Sequence, residues 1–149
     1  MVRSIPQRLL TDLDSVNMGT RWMVTKESPI HQNVKQAIVD CDENSTVLVL
    51  RKFRNTTRLH KNKVSMEVHQ IENTKQDVTF ADVAHLMAGK RGRGVYETGD
   101  IDAGVWSLGQ CAGLIHDIPT CAELTKTIER DAEAILRRTS GLITSQPRL

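Results

Sequence analysis

Apolar residues recur at helical spacing along most of this chain, and only two short runs pattern like strands. Val16 and Met18 alternate with polar neighbours, which predicts a buried strand over Val16–Arg21 that leaves its sheet at Gly19-Thr20. Ser28-Pro29 supplies an N-cap and a first-turn proline for a helix whose stripe is Ile30, Val34, Ala37, Ile38 and Cys41. Thr46 to Leu50 is β-rich and reads either as a short strand or as a buried connector. A second helix is expected from about Thr57 to Asn73, with Val64, Val68 and Ile71 inward. Thr79 and Asp82 form a capping box for a third, carrying Phe80, Val83, Leu86 and Met87 and stopping at Gly89. Arg91-Gly92-Arg93-Gly94 reads as a loop. A fourth helix is expected from about Asp100, with Val105, Leu108, Ala112 and Ile115 on one stripe. Thr120 and Glu123 cap the last, driven by Leu124, Ile128, Ala132 and Ile135, and the chain beyond Ser140 reads as a frayed tail.

Two features of this pattern ask for a reason. A single buried strand needs neighbours to bond its backbone, and none is evident, so the chain reads as the closing part of something larger. Gly104, Gly109 and Gly113 also lie within one expected helix, where each costs roughly 0.5–1 kcal/mol relative to alanine. Close approach of another backbone or of a ligand would account for them. The run Ser15 to Met23 suggests such a ligand: a strand end followed by Gly19-Thr20 offers free N–H groups and a hydroxyl suited to a phosphate.

Composition narrows the class. The 149 residues are enough for one domain, with 39% apolar and only 3% aromatic residues, so the core is aliphatic. A net charge of +2 argues against a dedicated nucleic-acid or membrane-surface protein. No signal peptide or membrane span is visible, and a cytoplasmic location is expected. Cys41, Cys111 and Cys121 form no CxxC pair and read as reduced thiols. The five histidines lack metal-ligand spacing, and no metal is assigned.

Several short motifs keep a common order: Asn17-Met18-Gly19-Thr20-Arg21, Pro29-Ile30-His31, Arg54-Asn55-Thr56 with Arg58, Arg91-Gly92-Arg93, Tyr96, and Gly99-Asp100. Gly104-Val105-Trp106-Ser107, Gly109-Gln110 and Gly113-Leu114-Ile115 follow, and the Trp-Ser-x-Gly-Gln run with its Gly-Leu-Ile is the most specific. From Asn17 to Arg138, roughly four-fifths of its length, the chain resembles the nitronate monooxygenase family. That family includes flavin-dependent quinone reductases and is related to an FMN-dependent enoyl reductase of fatty-acid synthesis.

The resemblance implies an α/β fold, a (β/α)8 TIM barrel holding FMN, of which this chain is a mostly helical C-terminal fragment with one or two short strands. Such barrels typically need ~250 residues. It divides the chain into the last barrel strand and phosphate turn (1–27), a helical substrate-side insertion (28–98), closing helices (99–140) and a disordered tail (141–149). Gly19 and Thr20 match the family's FMN phosphate contacts, and Ser107 matches a serine beside the flavin that can hydrogen-bond a substrate nitro group. None of the histidines matches the catalytic histidine, which is expected upstream with the remaining flavin contacts, and residues 3–14 lack the glycine-rich turn expected before the last strand. No catalytic residue is therefore assigned. The implied activity is oxidation of alkyl nitronates with O2 by FMN, with little turnover from this chain alone; NAD(P)H:quinone reduction is the alternative within the family.

Two non-catalytic readings stand beside it. Arg51, Lys52, Arg54, Arg58, Lys61 and Lys63 place six cations in thirteen residues, which could contact RNA, but stacking rings are scarce and a solvated face is the favoured reading, with no nucleic-acid partner expected. A helical scaffold that self-associates through uncovered apolar surface is the other.

Overall fold

The computed structural model describes residues 16–141. Helix α1 (Thr20–Met23) opens the described chain, followed by α2 (Gln32–Val39), strands β1 (Thr46–Val49) and β2 (Thr57–His60), α3 (Lys63–Thr74), α4 (Phe80–Ala84) and α5 (Gly89–Thr98). A 3-10 turn (Gln110–Leu114) leads to the long α6 (Cys121–Ser140). Ser15 and the tail from 142 onward lie outside the described residues.

The expected strand over Val16–Arg21 is not formed among the described residues. Thr20–Met23 coils instead, with the amides of Trp22 and Met23 both donating to Gly19 O at 3.0 and 3.2 Å. Without a neighbouring strand, a helical turn is the way this backbone bonds itself. Among the described residues the one sheet lies elsewhere. β1 and β2 pair antiparallel, Thr46 opposite His60 and Val49 opposite Thr57, which makes Thr46–Val49 of the ambiguous run a strand, without Leu50, and takes Thr57–His60 out of the expected helix. That helix starts later, at α3, where Asn62 and Ser65 exchange side-chain-to-backbone bonds in a capping box.

α2 likewise starts three residues after Pro29. His31, not Ser28, is its cap: Nδ1 accepts from the Asn33 amide at 3.1 Å, while the His31 amide donates to Tyr96 O at 2.9 Å. The expected Arg91–Gly94 loop is part of α5, and Gly89 opens that helix instead of ending the previous one. Gly92 makes this fit possible, since a Cβ there would lie 2.5 Å from Val105 O; α5 lies directly against the following segment, with Arg91 Nε on Ala103 O at 3.0 Å.

The expected helix from Asp100 is largely absent. Residues 103–109 run irregularly between two cores, one around Val34, Ile38, Trp106 and Leu108 and the other around Val49, Leu59, Val68 and Val105. Ser107 forms a single bridge with Leu59, and the His60 amide donates to Trp106 O at 3.1 Å, so the segment extends the hairpin. The three glycines mark close approaches, to Arg91 backbone at Gly104, to Thr20 Oγ1 at Gly109 and to Asp42–Glu43 backbone at Gly113. Each disfavours helix by up to about 1 kcal/mol, and the packing makes use of the bare backbone.

Candidate functional site

The segment around α1 is tied to the chain's other end by four long-range contacts. Thr20 Oγ1 accepts from the Gly109 amide at 2.9 Å. Arg21 donates to Asp117 Oδ1 at 2.7 Å and to its backbone O at 3.1 Å. The Lys26 amide donates to Pro119 O at 2.9 Å, and the carboxylate of Glu27 accepts from the Cys121 amide at 3.0 Å. That last bond holds the Glu27 carboxyl below the usual carboxylate range. Lys35, buried on α2, closes the bend from inside, its ammonium donating to Thr25 O at 2.7 Å and Lys26 O at 3.3 Å.

Gly19 and Thr20 therefore sit on a pinned turn. A Cβ at Gly19 would meet nothing within 4 Å, so the space above its backbone is open. Thr20 is 8% exposed, and its hydroxyl, which accepts from Gly109, keeps its own hydrogen for another partner. Among the described residues the Thr20 and Arg21 amides make no hydrogen bond, as expected for a first helical turn. The Arg21 guanidinium is turned to Asp117 and is not available to a ligand.

Ser107, two residues before Gly109, lies on the same stretch, within about 7 Å of it along the chain. Its side chain is exposed, and its backbone amide donates toward the Tyr96 hydroxyl, whose pKa is pushed up by burial in spite of that bond. The Gly109–Thr20 contact ties the Gly19-Thr20 turn to the segment that carries Ser107, while Ser107 itself is bridged to Leu59. The Gly109–Thr20 contact is also tight, since a Cβ at Gly109 would lie 3.1 Å from Thr20 Oγ1 and 3.2 Å from Cys111 Sγ.

A second feature went unread in the sequence. His60 stacks on Trp106 with ring centroids 4.4 Å apart, its buried Nδ1 has no partner among the described residues, and burial depresses its pKa. It borders an open pocket of about 440 Å³ with Asn33, Gln36, Asp40, Cys41 and Ser45, which none of Gly19, Thr20 and Ser107 lines. The signal available was the aromatic pair itself, in a chain with few rings.

Residues 9–131 match the family model for nitronate monooxygenase. The chain belongs to the nitronate monooxygenase family. Among curated proteins of this kind it is 24% identical, over 178 aligned positions, to a (3aS,4S,5R,7aS)-5-hydroxy-7a-methyl-1-oxo-octahydro-1H-indene-4-carboxyl-CoA dehydrogenase of Mycobacterium tuberculosis. That match takes in 95% of this chain and 49% of the relative, so the family member described here spans about half the length of the relative it matches. FabK from Thermotoga maritima shares its fold, with a TM-score of 0.75 and 24% identity over 85% of this chain and 39% of that one. A point variant of the same FabK gives 0.74 and 21% over 93% and 40%. Among the described residues no helix is long and apolar enough to cross a membrane.

Proposed function

We propose that this chain is the C-terminal portion of an FMN-dependent (β/α)8 oxidoreductase of the nitronate monooxygenase type, carrying part of the cofactor's phosphate site and one wall of the substrate pocket. The observation that supports this most is the hydrogen bond from the Gly109 amide to Thr20 Oγ1, which ties the Gly19-Thr20 turn to the segment that carries Ser107 two residues earlier. The residues fit the phosphate end of FMN: open space at Gly19, two amides without a partner among the described residues, and a hydroxyl that can still donate. In this reading the Thr20 hydroxyl and the Thr20 and Arg21 amides hold the phosphate, and Ser107 donates to the nitro group of an alkyl nitronate. FMN, when bound, supplies the redox chemistry. No histidine in the chain matches a catalytic base, so turnover by these 149 residues alone is low. Pure protein given FMN and an alkyl nitronate should consume oxygen no faster than free FMN; a clear excess overturns the incomplete-site reading.

Self-association is a second reading with its own observation. On α6 only Leu124 is buried, while Ile128, Ala132 and Ile135 are half-exposed, and Leu114 and Leu136 are 53% and 55% exposed. Light scattering should then give a mass that rises with concentration; a constant monomer mass would refute it.

A further inference from the structure

The loop joining β1 to β2 is built in a way that the hairpin alone does not require. Leu50 and Arg54 both adopt left-handed backbone, with φ of +60° and +55°, where side chains other than glycine are disfavoured. Leu50 is buried in the second core, so its packing accounts for its place. Arg54 is exposed, and its amide closes the turn by donating to Arg51 O at 3.1 Å.

The loop is nonetheless rigidly held. Buried Glu72 of α3 accepts the Leu50 amide at 2.8 Å and the Lys52 amide at 2.6 Å. The amides of Phe53 and Asn55 donate to Leu50 O, that of Arg54 to Arg51 O, and the Phe53 ring meets Phe80 edge-on at 6.1 Å. With those amides engaged, the loop offers a ligand its side chains: Arg51, Lys52 and Arg54, all exposed and, among the described residues, paired with no carboxylate. Lys52 only reaches Lys75 O, at 3.1 Å.

We propose that Arg51, Lys52 and Arg54, displayed on the strained loop clamped by Glu72, form a binding site for the phosphate groups of a small soluble phosphoester or phosphoanhydride. Guanidinium forks suit phosphate oxygens, and a fixed loop lowers the ordering cost of gathering three cations on one ligand. Backbone strain retained at an exposed arginine points to a use for that side chain. The site is separate from the Gly19-Thr20 turn, which is pinned by Gly109 and Asp117.

The test is calorimetric titration of the full chain with pyrophosphate at low salt. Saturable binding that weakens as salt is added is expected. Arg51→Ser and Arg54→Gly should each weaken it about two- to fivefold, and together about tenfold, as for exposed charge pairs. Because glycine relieves the strain, Arg54→Gly should melt no lower than the parent, so its lost affinity cannot be put down to misfolding. Absence of saturable binding, equal affinity in the double variant, or loss with Thr20→Ala instead would each overturn the proposal. So would tighter binding to single-stranded RNA or anionic phospholipid vesicles than to pyrophosphate, since either would name a macromolecular or lipid partner.

Discussion

Replacing Glu72 with alanine removes the only acceptor that the amides of Leu50 and Lys52 have among the described residues, at 2.8 and 2.6 Å. Glu72 is 3% exposed, so water does not readily take its place. Leaving a buried donor unsatisfied costs about 1–3 kcal/mol, and bonds to a charged acceptor stand at the upper end. Losing the buried Leu50 bond and the part-buried Lys52 bond, with the left-handed backbone at Leu50 then unsupported, gives a total of about 2–4 kcal/mol. For a domain of this size that is a fall in Tm of roughly 6–12 °C. Glu72→Gln keeps one carbonyl oxygen for one of the amides and should lose about half as much. Thermal denaturation followed by circular dichroism reads the magnitude, and hydrogen exchange at Leu50 and Lys52 reads the place: both amides should exchange faster in the alanine variant. A melting shift under about 3 °C, or a glutamine variant as damaged as the alanine one, would refute the clamp.

Further outcomes are expected elsewhere. Gly113→Ala should lower Tm by several degrees, because its Cβ would lie 2.8 Å from Glu43 N and 2.9 Å from Asp42 C, backbone that cannot easily retreat; an unchanged Tm would contradict that approach. Asp82, bonded by Lys75 and by the amide and hydroxyl of Thr79, has its pKa pulled down from 3.8 to about 2. Its contribution is present above pH 4 and is lost as pH falls toward 2; acid unfolding of Asp82→Asn should be flatter over that window, and parallel curves would contradict it. His60 is depressed by burial, so protonating it opposes folding: stability should decline as pH drops below its ordinary titration range, less so in His60→Phe.

What could be read from sequence was mostly local. The capping boxes Thr79–Asp82 and Thr120–Glu123 form as expected because each is closed by residues three apart. Asn62–Ser65 is a third such box, and its signal was available but hidden behind an apolar stripe extended too far toward Thr57. Other elements depend on distant partners. Thr57–His60 is a strand because β1 lies opposite, and Arg91–Gly94 is helical because Gly92 admits Val105 O. Trp106 falls off the expected helical stripe yet is 2% exposed, since the backbone there is extended between two cores. In the candidate site, Gly19 and Thr20 could be read as a phosphate turn from the residues themselves, and Ser107 was reached through family likeness. The bonds that hold the turn, Thr20 to Gly109 and Arg21 to Asp117, span 89 and 96 positions and leave no trace in periodicity.

Whether the Gly19-Thr20 turn holds a flavin phosphate is tested most directly by a fluorescence titration of the full chain with FMN. Saturable micromolar binding is predicted, weakened in Thr20→Ala and restored in Thr20→Ser, with melting curves confirming that both variants are folded. No saturable binding, or binding indifferent to Thr20, would contradict that role of the turn.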